Sequence, residues 1–494
     1  MAYAAVLAVV GWAMSLFAVA MLFPLLVALG YGETGAAGSF FASALVTLFI
    51  GGGLIMATRG DEKTVSRREG FFLAALAWGA LPVFGALPIY FSGAAGSVVD
   101  AYFEALSGLT TTGATVLQGL DELPRSILFW RALMQWIGGL GAILLAVAIL
   151  SLLGIGGLSL YRSAIPRGER DTMAGRLRHA VESIWWIYAC LTAVCAVLLW
   201  LFGMPPFDAV CHAFSALSTG GFSTRDGSIG AFGSPLLEFT LAIFMLIGAV
   251  NFTLHWAAVN GRLQAYREDP EIRYLFVVVV VVTILVTGAL LVGPGAGPFD
   301  AVRNGLFVAI SVVTTSGFLP AEIDAVGAAA GGGLPWPTFL SMLLLILVLV
   351  GGCTGSTAGG VKLMRIAILL KQGNRELRRL SYPHGVVALR YGETPVGQPA
   401  MRGVWSFFIV FVLSFAGISL GIAGCGVEFR TAVAAAAGAV SNAGPAMAYI
   451  SGGGANAYAL LPDSAKWWVA LGMLLGRVEL FALLTLLNPA FWRR

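Results

Sequence analysis

Four short segments, each centred on a glycine, carry the residue types best suited to chemistry in this chain. They read Asp100-AYFEALSGLTTTGATV, Asp208-AVCHAFSALSTGGFST, Asp300-AVRNGLFVAISVVTTSGFLP and Phe429-RTAVAAAAGAVSNAGPAM. Alignment on Gly113, Gly221, Gly317 and Gly444 produces columns. A hydroxyl stands three positions earlier (Thr110, Ser218, Thr314, Ser441), followed by Thr111, Thr219, Thr315 and Asn442. Thr112, Gly220, Ser316 and Ala443 complete the four candidate segments. Six positions before the glycine come Ser107, Ser215 and Ser311, with Gly438 departing from the set. Glycine permits positive φ, so successive carbonyls can turn the same way. Rings of carbonyl oxygens can replace the hydration shell of an alkali cation. Each strand follows a short helix-compatible run whose C-terminus is partially negative, which favours a cation. Asp100, Asp208 and Asp300 stand where an N-cap is expected.

The elements that must hold these loops are apolar spans. Of the 494 residues, 58% are hydrophobic and 11% charged, against about 25% charged in soluble domains. Stretches of about 20 apolar residues cross a membrane. Ten are read, at 2–30, 37–58, 70–93, 127–153, 181–203, 234–258, 274–293, 336–369, 404–424 and 465–491. The segments 59–69, 161–180, 262–273, 362–402 and 493–494 hold 22 of the 29 basic residues. Ten spans place all five on one face, the cytoplasmic one, with both termini. The four loops then enter from the opposite face. Internal repetition of this kind has a unit of span, short helix, extended loop, span. The expected fold is all-α integral membrane, with four membrane–pore–membrane repeats around a pseudo-fourfold pore and an N-terminal helical pair. The divisions are 1–66 for that pair, then 67–165, 166–270, 271–385 and 386–494.

Two further features bear on a pathway. The segment Gly351-GCTGSTAGG interrupts the apolar pattern of 336–369, and its glycines and small polar residues are poor helix formers. Gly351, Gly352, Cys353, Thr354, Gly355, Ser356, Thr357, Ala358, Gly359 and Gly360 form a candidate gate, the alternative being close helix packing through small residues. Arg477 lies inside the last span, where an arginine costs about 2.5–3.5 kcal/mol on insertion scales and usually faces water. The alternative is a buried partner such as Glu479, which points elsewhere on the helix. Asn251, Gln135 and His255 read as interhelical hydrogen-bonding residues. The five cysteines lack paired spacing and the four histidines are scattered, so neither a disulfide framework nor a metal site is expected. No nucleophile–base arrangement points to an enzyme, and the net charge of +4 reports topology and not nucleic-acid binding.

These residues resemble the Trk, Ktr and HKT superfamily of potassium transporters, most nearly its bacterial TrkH/TrkG branch. The shared features are Thr110-TTGATV, Gln135-WIGGLGAILLAVAIL, Gly351-GCTGSTAGGVK, Gly476-RVELFALL and Pro489-AFWRR, and the pair at 1–58 fits the same branch. The resemblance implies potassium as the transported ion in a bacterial cytoplasmic (inner) membrane. It implies a homodimer with one pore per subunit and a cytoplasmic ring of TrkA-like nucleotide-binding regulatory subunits, with no nucleotide in this chain. Glycine at all four filter positions goes with potassium preference; serine in the first loop goes with sodium. Under the resemblance, 351–360 obstructs the path until it moves, and Arg477 sets a barrier in the pore. A proton- or sodium-coupled secondary transporter is the alternative. Such folds often show inverted repeats, whereas these repeats run parallel.

Overall fold

The computed structural model describes residues 3–59, 67–153, 173–292, 297–320, 338–382, 388–392, 394–451 and 457–478. Among these, seven helices are long and apolar enough to cross a membrane, and one bent pair meets the same condition when its two helices are taken together. Glu479, the tail 493–494 and most of the basic segment 161–180 lie outside the described residues, as does the end of the span expected at 465–491.

The N-terminal part comprises α1 (Tyr3–Ala20), α2 (Leu22–Tyr31) and α3 (Thr34–Ala57), which pack on one another and on α4 (Arg67–Phe91). Then come α5 (Val98–Leu109), α6 (Arg125–Leu153), α7 (Met173–Leu201) and α8 (Pro206–Leu217). The expected single span at 234–258 is instead α9 (Pro235–Ala249) and α10 (Phe252–Val259), bent by 96°. A short α11 (Ala265–Glu268) leads to α12 (Pro270–Val292) and α13 (Pro298–Val313). The chain continues through α14 (Thr338–Val350), α15 (Leu363–Ser381), α16 (Gln398–Gly424), α17 (Phe429–Val440), α18 (Ala446–Ser451) and α19 (Asp463–Arg477). The interruption expected near 351 is present: α14 ends at Val350, and α15 begins only at Leu363.

The bend between α9 and α10 has a local cause that hydropathy hides. Asn251 caps α10, its Oδ1 accepting from Thr253 N at 3.0 Å and from Thr253 Oγ1 at 2.9 Å. Among the described residues it thus bonds the first turn of the helix that it caps, where an interhelical bond was expected. The backbone groups freed by the break pair with the 351–360 segment. Cys353 N donates to Ala249 O at 3.1 Å, Thr357 N to Gly248 O at 3.2 Å, and Phe252 N to Gly355 O at 3.1 Å. Non-helical backbone at membrane depth must find such partners inside the protein. Two irregular segments, about a hundred residues apart in the chain, satisfy each other.

The helices α5, α8, α13 and α17 are short, and each packs against the long helix preceding it. Their N-termini correct one expectation. The N-caps are Ser97, Pro205, Gly297 and Glu428, so Asp100, Asp208 and Asp300 occupy the third helical position. An acid there still faces the positive end of the helix dipole.

A candidate ion pathway

All four short helices end in the same turn. The residue two positions before each aligned glycine is left-handed: Thr111 (φ 51°), Thr219 (φ 50°), Thr315 (φ 58°) and Asn442 (φ 50°). Its amide bonds back three residues, and the next amide bonds back five. Thr112 N reaches Ser107 O at 2.9 Å, Gly220 N reaches Ser215 O at 2.9 Å, Ser316 N reaches Ser311 O at 3.0 Å, and Ala443 N reaches Gly438 O at 2.7 Å. This paired pattern is the Schellman ending, normally built on glycine. A β-branched threonine in that conformation is strained, and such strain concentrates at functional sites. The column six positions before the glycine supplies this carbonyl, which Gly438 provides as well as serine does, while Ser215 and Ser311 also donate through their hydroxyls, to Gln135 Oε1 and Phe318 O, both at 2.8 Å.

The glycines extend the pattern unequally. Gly113, Gly221 and Gly317 are also left-handed, at φ 75°, 81° and 82°, whereas Gly444 is not. Close approach explains the glycine at 444, because a Cβ there would strike the backbone of Ala114. The same test orders the loops. A Cβ on Gly113 would strike the carbonyl of Gly220, one on Gly221 the carbonyl of Ser316, and one on Gly317 the Pro445 ring at 2.9 Å. The four segments therefore touch in sequence order, and the fourth returns to the first. Asn442 Nδ2 donates to Thr112 Oγ1 at 3.0 Å, and Gly444 N donates to Thr112 O at 2.6 Å. All sixteen candidate filter residues are buried.

The beginnings of the loops meet the 351–360 segment. Thr357 Oγ1 lies 2.8 Å from Gly248 O, 3.0 Å from Leu217 O and 3.2 Å from Thr219 Oγ1. Gly359 N donates to Thr315 Oγ1 at 2.7 Å, and the Gly359 Cα sits against the Ser441 carbonyl. Gly351, Gly352, Cys353, Thr354, Gly355, Ser356, Thr357, Ala358 and Gly359 are buried, and Gly360 is half-buried. Glu271, at the start of α12, clamps this segment with one oxygen. Its Oε1 accepts from Thr354 N at 2.8 Å, Thr354 Oγ1 at 3.0 Å and Met364 N at 2.9 Å. Arg477 reaches the segment from the other side, donating to Thr357 O at 3.0 Å and to Gly138 O at 3.4 Å. Arg477, Lys362 and Ser356 line a cavity of about 50 Å³ there. Beyond the glycines, a shallow cleft of about 20 Å³ is lined by Gly113, Gly221, Arg131 and Pro445.

Of the supports, Gln135 and His255 make the interhelical hydrogen bonds expected of them, whereas the packing of Gly138 and Gly476 and the Glu104–Arg131 pair were not anticipated. Gly138 and Gly476 pack on the carbonyls of Leu109 and Val440, where a Cβ would not fit. Gln135 Oε1 accepts from Ser215 Oγ at 2.8 Å and Phe222 N at 3.3 Å, which places it behind the second loop. His255 braces the bent pair, contacting Tyr266 Oη at 2.6 Å and Ile247 O at 3.0 Å. Glu104 is wholly buried against Arg131. Lone polar letters in apolar helices were the available signal, and it does not say which neighbour each one meets.

Apolar spans surrounding buried loops, each led in by the C-terminus of a short helix, define a polytopic membrane transport protein. Comparison with known proteins narrows the class. The family model described as TrkH, a cation transport protein, matches residues 37–493, and the chain belongs to that family. It is 42% identical over 500 residues to the Trk system potassium uptake protein TrkH of Vibrio parahaemolyticus, covering 100% of both chains. It is 40% identical to TrkH of Escherichia coli strain K12 with the same coverage, and 35% identical to that strain's TrkG over 98% of this chain and 97% of the other. The crystal structure of the potassium transporter TrkH from Vibrio parahaemolyticus superposes with a TM-score of 0.88 at 39% identity, covering 100% of both chains.

Proposed function

We propose that this chain is a potassium uptake protein whose four loops form one selectivity filter, gated from the cytoplasmic side. The ring of contacts from Gly113 through Gly220–Gly221, Ser316–Gly317 and Pro445 back to Ala114 carries the reading. In the first three loops, left-handed residues alternate with ordinary ones, the backbone condition for carbonyls to line one side. Full-length relatives named as potassium uptake proteins supply the ion.

In this reading ten helices cross the membrane, and the repeats divide at 67–165, 166–270, 271–385 and 386–494 after the N-terminal unit 1–66. The filter residues are Thr110–Gly113, Ser218–Gly221, Thr314–Gly317 and Ser441–Gly444. Segment 351–360, bonded to the loop beginnings, is the gate, and Arg477 places a fixed positive charge beside it. The basic segments face the cytoplasm of a bacterial inner membrane. Two copies assemble, and a cytoplasmic ring of nucleotide-binding subunits moves the gate.

Flux of potassium, rubidium, sodium and lithium into liposomes, with and without a proton gradient, tests the proposal. Potassium and rubidium should pass in preference to sodium and lithium whether or not the gradient is present. Flux that requires the gradient, or that does not discriminate among the ions, would overturn it.

A further inference from the structure

One charged cluster outside the loops is unused by this mechanism: the pair Glu104–Arg131. Glu104 lies on α5, nine residues before Gly113, and Arg131 lies on α6. Their side chains are 0% and 1% exposed, with Nε and Oε1 2.7 Å apart. A buried ion pair is an expensive way to hold two helices together, and apolar residues often serve as well. What surrounds it gives it another use.

Both charged groups are spent on the filter loops two residues past the glycines. Thr115 Oγ1 donates to Glu104 Oε1 at 2.9 Å, and Val116 N donates to Oε2 at 3.0 Å. Arg131 Nη2 donates to Thr115 Oγ1 at 3.1 Å, so that hydroxyl bridges acid and base. Arg131 Nη1 donates to Ser223 O at 3.2 Å, and the guanidinium lies 4.1 Å from the centre of the Phe222 ring. Thr115 follows Gly113 by two residues and Ser223 follows Gly221 by two, so one guanidinium ties adjacent loops at the same register. On the other side of Ser223, His212 Nε2 contacts its Oγ at 3.0 Å. The positions matching Glu104 and His212 in the other two helices are Val308 and Ala435, which cannot make such a brace.

We propose that the Glu104–Arg131 pair is a specificity determinant: it fixes the spacing of the first two loops so that the filter cannot contract around sodium. The pair touches no ion and acts by positioning. Where cavity size sets the preference, a ring of neutral oxygens disfavours a smaller cation as long as its members are held apart. Hydrogen bonds from and to ionised groups, within a low dielectric, are the stiffest such links available. The inference rests on the four loops being the filter.

The test uses the full chain in liposomes, reading the potassium-to-sodium flux ratio for the parent, Arg131→Lys, Thr115→Val and Gly113→Ser. Arg131→Lys keeps a charge beside Glu104 but cannot reach both Thr115 and Ser223. Its ratio should fall about tenfold, the equivalent of one hydrogen bond to a charged group, with potassium flux retained. Thr115→Val removes only the bridging hydroxyl and should shift the ratio the same way by less. A structural role alone would lower the unfolding temperature and leave the ratio at the parental value. Parental ratios in both variants, with a lowered ratio in Gly113→Ser, would overturn the brace and leave the filter standing. Should Arg131→Lys fail to assemble, Thr115→Val decides. A parental ratio in Gly113→Ser would remove the filter reading and the brace with it.

Discussion

The first and fourth loops share one turn and are held in place by different means. The first is backed by ionised groups from the two helices that flank it, Glu104 and Arg131, and its Gly113 is left-handed. The fourth has Ala435 where the acid would stand, and among the described residues the bonds to the loop itself come from neutral groups. Tyr458 Oη donates to Gly444 O at 3.1 Å, and Asn442 Nδ2 reaches Thr112 Oγ1 and Met473 O, both at 3.0 Å. The fourth loop therefore leans on the first, and the Pro445 ring rests against Gly113, Gly221 and Gly317. The same division appears at the beginnings of the loops. The 351–360 segment bonds the second and third loops and packs on the fourth, and Arg477 links it to Gly138, which packs behind the first. One turn can thus be supported in unlike ways, provided that each buried polar group finds a partner.

The contrast in support is the easiest part to break. Glu104→Ala should destabilise the protein by about 3–5 kcal/mol, because it leaves Arg131 buried without its acid. Tyr458→Phe, which removes one neutral hydrogen bond from the fourth loop, should cost about 1 kcal/mol. Thermal unfolding in detergent compares them, and equal losses would erase the distinction. The Arg477 side of the proposed gate comes next. Arg477→Ala removes a fixed positive charge and the bond to Thr357 O, so potassium leak without any partner should rise by an order of magnitude or so, about 1.4 kcal/mol in barrier. Unchanged leak from a well-folded variant would assign Arg477 to packing alone.

Glu271→Gln probes the other side of the same segment. Its three hydrogen bonds would lose their charge assistance while the amide oxygen still accepts them, so the leak should rise less steeply than for Arg477→Ala. Parental leak would show that the clamp plays no part in closure. The smallest effect sharpens the comparison of the turns themselves. Asparagine tolerates the left-handed region better than threonine, and the fourth loop already uses it. Thr111→Asn should therefore raise stability by about 1 kcal/mol through relieved strain. A loss would mean that the threonine side chain makes a contact worth more than the strain.

The register of the four loops is legible in the sequence, while the part each residue plays in the turn is not. The column of Thr111, Thr219, Thr315 and Asn442 aligns by residue type; its conformational role is to be the left-handed residue of the turn. Gly444 aligned with the other glycines, but close packing and not φ demands it. The break at Val250–Asn251 was read through as one span, because Asn251 is a single polar letter among apolar ones. Its capping bond and its pairing with the 351–360 segment depend on a neighbour about a hundred residues away.

What the sequence determined alone was local: which residues form spans, where the basic segments lie, and where four copies of one turn fall. Those properties depend on hydropathy and on hydrogen bonds reaching three to five residues, so they repeat visibly with the repeat. Tertiary structure alone decided which loops touch and what braces them. The bond from Asn442 to Thr112 spans 330 residues, and those from Arg477 to Thr357 and Gly138 span 120 and 339. A buried polar side chain must find a partner, but its identity follows from which helices pack side by side.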